Sequence, residues 1–233
     1  MKMLKNYFKN PFKEILEEYL LIIDIWSNKF PENKVNNLSI IEKSFMSLII
    51  FIRSLSLVHI KDIFKKGKIR SEISEFYVLG RLFFMFYILF SSLINNLHIY
   101  ILVIYFLIDG LNYRLCIFFV DRYKKDWGLR SINRTIILLM LNYFEIIIGF
   151  SIFYYLTKSI VYSDTLKIIT SPIQSLYFSA ITITTLGYGD MTPISSIGRI
   201  LVILELGLGF ILTIIIIGLV LTGVRYVKEI NKY

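Results

Sequence analysis

The chain has 233 residues, 56% of them hydrophobic, with a mean hydropathy of +0.65 and a formal net charge of +9. Such a composition marks an integral membrane protein and excludes an ordinary soluble domain. The positive charge is gathered at the edges of apolar runs, where basic residues set orientation and meet anionic lipid, so it does not point to nucleic acid. Cys116 is the only cysteine, which allows no intrachain disulfide, and it reads as a packing residue. Ala180 is the only alanine, and heavy use of Ile, Lys, Asn and Tyr fits an AT-rich, bacterial genome. Lys2, Lys5 and Lys9 are not followed at once by an apolar core of ~7–15 residues, so no cleavable signal is expected.

Residues 1–75 read as a cytoplasmic or interfacial region of amphipathic helices. Phe12–Trp26 has apolar residues at helical spacing with Glu14, Glu17, Glu18 and Asp24 between them. Pro31-Glu32-Asn33 breaks it. In Leu38–His59 the uncharged core, Ser44–Ile52, is shorter than the ~20 residues a bilayer needs, so it is expected at or beneath the membrane surface. Lys61–Arg70 is a basic juxtamembrane cluster, fit either for anionic lipid or for solvent.

Residues 76–120 hold two further apolar segments, Val78–Leu93 and Leu97–Val120, joined by Asn95-Asn96, and so predict an antiparallel transmembrane hairpin. Neither repeats a basic residue every third position, which excludes a voltage sensor. Residues 121–134 carry Arg122, Lys124, Lys125, Arg130 and Arg134 and predict a cytoplasmic linker. Residues 135–224 hold two long apolar runs, about 135–157 and 197–222, with a polar stretch between them. Residues 225–233 form a short basic tail, too short for a large cytoplasmic ligand-binding domain.

The stretch between the long runs is Thr185-Leu186-Gly187-Tyr188-Gly189-Asp190. Backbone leaves helix at membrane depth only where protein buries it or where it lines water. Carbonyls that all point at one axis need alternating right- and left-handed backbone, and Gly187 and Gly189 stand two apart, as that requires. Leu186 and Tyr188 are expected to turn away from the axis and wedge the loop from behind. The Thr185 hydroxyl adds one more oxygen. Ser171-Pro172 reads as an N-cap followed by proline at the first helical position, so Pro172–Thr184 is a short helix whose C-terminal end favours a cation.

T-x-G-Y-G, with Ser179–Thr184 before it and Asp190, Thr192-Pro193 and Gly198-Arg199 after it, resembles the potassium-channel superfamily, in particular the bacterial two-transmembrane pore module. The resemblance implies potassium held at Thr185, Leu186, Gly187 and Tyr188, with Gly189 completing the filter. Asp190, Tyr177 and Thr184 support it, and Gly209, with Gly207 beside it, is the inner-helix hinge. Leu186 stands where valine or isoleucine is commoner, Ile181 where some members carry a glutamate, and Tyr177-Phe178 where some carry Trp-Trp. The basic linker and Asn142-Tyr143-Phe144-Glu145 also look like a group of small bacterial ion-channel proteins with an extra hairpin before the pore module.

The expected fold is therefore an all-α integral membrane protein. It has four transmembrane helices plus a re-entrant pore helix and filter loop, with both termini cytoplasmic in the bacterial inner membrane. One filter per chain calls for a homotetramer or for assembly with a relative, and the homotetramer is expected. Expected partners are anionic lipid and a cytoplasmic partner for residues 1–75; no cofactor is expected beyond permeant potassium.

Asp109, Glu145 and Glu205 fall near the middle of apolar segments. Intramembrane acids are rare and are usually functional or paired. A protonated carboxyl bonded to a neighbouring helix is the plainer reading for Glu145, with Asn142 the near partner, and for Glu205. A gating role is the sharper reading for Glu205, one turn before Gly209 and so expected behind the pore helix. Thr213 either faces a cavity or bonds back to its own helix. His59 and His98 read as interfacial. No phosphate loop, nucleophile triad or metal spacing occurs, so no enzyme is expected. A potassium channel is the leading reading. A weakly selective cation channel, acting as a membrane-depolarising signalling or defence effector, is the alternative.

Overall fold

The computed structural model describes residues 11–27, 38–54, 68–91, 97–120 and 132–230. The break at Pro31–Asn33, most of the Lys61–Arg70 cluster, His59, the Asn95-Asn96 turn and most of the basic linker lie outside these residues. The described chain is mostly helical. Its helices are α1 Pro11–Trp26, α2 Ile40–Ser54, α3 Lys68–Phe90, α4 Leu97–Leu115, α5 Ile132–Thr157, α6 Pro172–Ile183 and α7 Ser196–Ile230. A π-helical turn, Cys116–Val120, continues α4. The all-α expectation is corrected in one respect: β1 Ile160–Tyr162 and β2 Met191–Pro193 pair antiparallel, with Val161 opposite Thr192. Ile160 and Val161 suit a pleated surface, and the strand pairing satisfies backbone groups of both segments.

The chain divides into two compact units. The first joins residues 1–77 to 108–129. Within it α1 packs on α2, with Ile25, Met46, Ile50 and Val120 as its core. Ser39 caps α2 in a reciprocal box, Glu42 accepting the Ser39 N–H at 2.8 Å and giving its own N–H to Ser39 Oγ at 3.2 Å. Arg53 donates to both Glu18 oxygens, at 2.6 Å to Oε1 and 2.5 Å to Oε2. Tyr77 donates to Asp109 Oδ2 at 3.0 Å. Cys116 is fully buried, consistent with a packing role.

The second unit joins residues 78–107 to 130–233. It contains the two described helices long and apolar enough to cross a membrane, Arg134–Thr157 and Ser196–Gly218. The first is mostly buried inside the chain and the second mostly exposed. With 35 residues, α7 is about 52 Å long, well beyond the ~30 Å apolar core of a bilayer. At Gly149 of α5 a Cβ would meet Leu107 at 2.9 Å and Met85 at 3.1 Å, so α3 and α4 close on α5 where it has no side chain. The short helix α6 lies against both α5 and α7.

Candidate functional site

The site begins at the start of α6. Ser171 Oγ accepts the Ile173 N–H at 3.3 Å, and Gln174 Oε1 accepts the Ser171 N–H at 3.2 Å. Proline occupies the first helical turn, where a missing N–H costs nothing. The expectation from Ser171-Pro172 is thus met, with Gln174 as a second partner.

The other end of α6 turns directly into the Thr185–Asp190 loop. Thr185 N donates to Thr182 O at 2.9 Å and Leu186 N to Ile181 O at 3.0 Å. These are the paired bonds of a Schellman ending, and Thr185 takes its left-handed position, usually held by glycine, at φ +56°. Gly187 N adds a second bond to Ile181 O at 3.1 Å, Thr184 Oγ1 bonds Ala180 O at 2.7 Å, and Tyr143 of α5 donates to Ile183 O at 3.1 Å. Three carbonyls that the helix itself would leave open, those of Ile181, Thr182 and Ile183, are thereby satisfied.

Left-handed backbone then alternates: Thr185 at φ +56°, Gly187 at +47° and Gly189 at +79°. Leu186 and Tyr188 lie between them. They do not wedge against the rest of their own chain, being 55% and 67% exposed. Ser163, next to β1, holds the far end of the loop: its hydroxyl donates to Gly189 O at 2.6 Å and its N–H to Asp190 O at 2.9 Å. Tyr177 of α6 is partly exposed, with its hydroxyl within electrostatic reach of the Asp190 carboxylate.

Behind α6 the chain brings polar groups together from three helices. Glu205 of α7 is fully buried. Its Oε2 accepts from Tyr154 of α5 at 2.7 Å, and its Oε1 bonds Ser179 of α6. Ser179 Oγ also reaches Ile147 O of α5 at 2.8 Å. One turn along α7, a Cβ on Gly209 would lie 2.6 Å from Ile183 Cγ1, so glycine lets α7 touch the end of α6. A Cβ on Gly207 would meet nothing within 4 Å beyond its own stretch of helix. Thr213 bonds back to Gly209 O at 2.8 Å, the helix-bound one of its two expected states.

The expectation for Glu145 is corrected. Its carboxylate faces Arg81 of α3, with Nε to Oε1 at 2.7 Å and Nη2 to Oε2 at 2.6 Å, and the two side chains are 3% and 2% exposed. Asn142 lies one turn away, but a lone carboxylate in an apolar run is better matched by a guanidinium fork than by a carboxamide. Arg81 also sits 5.9 Å from the Phe106 ring centroid. Sequence reasoning missed Arg81, although a single arginine in one apolar run and a single acid in another signal a buried pair. It missed Ser163 and the β1–β2 clamp too, where Ser159-Ile160-Val161-Tyr162-Ser163 gave only a short strand signal. Asp109 belongs to the first unit and is not part of this cluster. Among the described residues no group of acids, histidine and cysteine could hold a metal ion.

A short helix and glycine loop enclosed between two long apolar helices define a pore-loop membrane protein. Residues 136–225 match the family model described as "Ion channel", which places this segment, less than half of the chain, in the ion-channel pore-loop family. The match points to a channel rather than an enzyme for this segment. No curated protein and no solved structure matches it.

Proposed function

We propose that this chain is the subunit of a homotetrameric, potassium-selective channel whose filter is Thr185–Gly189. The observation that carries the reading is the alternation of left-handed backbone at Thr185, Gly187 and Gly189, on a loop hung from the end of a short helix. Alternation turns successive carbonyls to one side, and rings of such carbonyls replace the hydration shell of potassium. Asp190, Tyr177 and Thr184 brace the loop. Gly209 is the point where the inner helix α7 swings against the pore helix α6.

One loop per chain supplies a quarter of a filter. The exposed apolar side of α7, including Ile203, Phe210, Ile214 and Ile217, together with exposed Leu186 and Tyr188, suits burial against neighbouring copies. The domain plan follows: residues 1–75 interfacial, 76–120 an accessory transmembrane hairpin, 121–134 a linker, 135–224 the pore and 225–233 a tail. With basic clusters inside, four spans leave both termini cytoplasmic in a bacterial inner membrane. Anionic lipid is the partner of the clusters.

The test is reconstitution of the full chain in planar bilayers. The expected reversal potential in opposed potassium and sodium follows potassium, and Gly187→Ala loses that preference. A Cβ there meets nothing within 4 Å, so the cost is the left-handed backbone alone, about 1–2 kcal/mol per subunit, and four copies share one axis. Equal permeation of both ions by the unaltered protein, or an unchanged mutant, refutes the filter. A conducting particle whose protein mass is not four times 27.4 kDa refutes the tetramer.

A further inference from the structure

Glu205 sits where three helices meet, and the hydrogen atoms there can be counted. Tyr154 Oη contacts Glu205 Oε2 at 2.7 Å, Ser179 Oγ contacts Glu205 Oε1, and Ser179 Oγ contacts Ile147 O at 2.8 Å. Each contact needs one hydrogen between its two heavy atoms. Tyrosine supplies one and serine supplies one. The Ile147 carbonyl supplies none, and an ionised carboxylate supplies none. Three contacts therefore have two hydrogens unless Glu205 carries its own.

The surroundings agree. Glu205 is fully buried, and its bonded neighbours are hydroxyls. Glu205 forms no ion pair among the described residues, and Arg81, the buried arginine described in the same unit, is engaged by Glu145. A charge so placed would lack both water and a cation.

We propose that Glu205 is a neutral acid, and that as a hydrogen-bond donor it is the positioning residue for α6 and, through α6, for the loop that follows. The proton lies on Oε1 and is given to Ser179 Oγ. Ser179 is then free to give its own hydrogen to Ile147 O, and Tyr154 gives its hydrogen to Oε2. One acid thus ties α7 to α6 directly and lets α6 tie itself to α5. Gly209 brings α7 onto Ile183 one turn along, so α6 is held at two points before Thr185. Without the proton, Ser179 must choose between Ile147 and Glu205, and α6 loses one of its two anchors. The proton count stands whatever the channel conducts; the effect on selectivity rests on the potassium-channel reading.

The test uses the full-length protein in lipid membranes, with infrared spectra in which glutamate is carbon-13 labelled. The carbonyl stretch of a protonated carboxyl is expected in the unaltered protein and absent in Glu205→Gln, and Ser179→Ala should shift it by removing its acceptor. If the unaltered and Gln forms have the same spectrum in that region, or if Ser179→Ala leaves the band in place, the neutral-donor assignment is overturned. Bilayer recordings read the positioning role. A carboxamide has a donor and an acceptor at the two ends of the same fork, so Glu205→Gln should keep open probability and ion preference within about twofold. Glu205→Leu and Ser179→Ala should each change open probability at least tenfold. Unaltered gating in both overturns the positioning role. Failure of potassium over sodium preference in the unaltered protein, with the band present, instead overturns the potassium reading and leaves the proton in place.

Discussion

The Arg81–Glu145 pair makes the most demanding energetic prediction. Two N–H···O bonds of 2.7 and 2.6 Å join side chains that are 2% and 3% exposed, so neither charge is screened by water. Removing one partner from such a pair costs about 3–5 kcal/mol, because the other charge is left buried alone. At 1.36 kcal/mol per decade, that is roughly two to nearly four orders of magnitude in the equilibrium that docks α3 on α5. Removing both costs far less, since apolar replacement of a buried pair is neutral or stabilising by about 1–4 kcal/mol. Arg81→Met and Glu145→Leu should therefore each be strongly destabilising, and the double variant should recover most of the loss. The recovery should be incomplete on the arginine side, where the contact with the Phe106 ring is worth about 0.5–2 kcal/mol. Arg81→Lys should fall between, because an ammonium keeps the charge but not the fork. The assay is equilibrium unfolding of the purified protein in mixed micelles, with the coupling read from the four-member cycle. If the two single losses add up to the double loss, the pair is not coupled, and α3 is held to α5 only by packing around Gly149.

Two further substitutions test the site. Gly209→Ala should lower thermal stability by about 1–3 kcal/mol per subunit and alter open probability, since its Cβ would stand 2.6 Å from Ile183 Cγ1 and one helix must move. Gly207→Ala, with open space within its own chain and a gain of about 1 kcal/mol in helix propensity, should not lower it; equal losses in the two variants would show that contact with Ile183 is not the reason for glycine. Ser163→Ala removes the 2.6 Å bond to Gly189 O, worth about 0.5–1.5 kcal/mol, but keeps the backbone bond to Asp190. Currents under sustained voltage should then decay faster, and an unchanged decay would remove Ser163 from the support of the loop.

Local features were legible from the residues alone. Ser171-Pro172 marks the start of α6 because capping and proline chemistry act within one turn. The T-x-G-Y-G spacing marks alternating backbone because glycine reaches left-handed φ without strain, and the chain adopts it at Gly187 and Gly189. Length and apolarity marked α5 and α7 as spanning helices.

Direction was legible only in part. The spacing to Gly209 set Glu205 behind α6, but α5 and α7 are apolar nearly all round, so their sequences have no polar face from which to read which partners Glu145 and Glu205 meet. Only packing brings Glu145 to Arg81, 64 residues away. Only packing sets Glu205 between Tyr154 and Ser179, 51 and 26 residues away. Thr185 is the instructive case between the two. As a threonine it gives no local reason for φ +56°; it takes that conformation because the carbonyls ending α6 accept bonds from the residues that follow, and a buried end of a helix must satisfy them. The sequence by itself thus determined which segments are long apolar helix and which is the glycine loop, since those depend on neighbours along the chain. The tertiary structure decided which buried polar groups meet, since in an apolar medium each must find a partner wherever the fold supplies one.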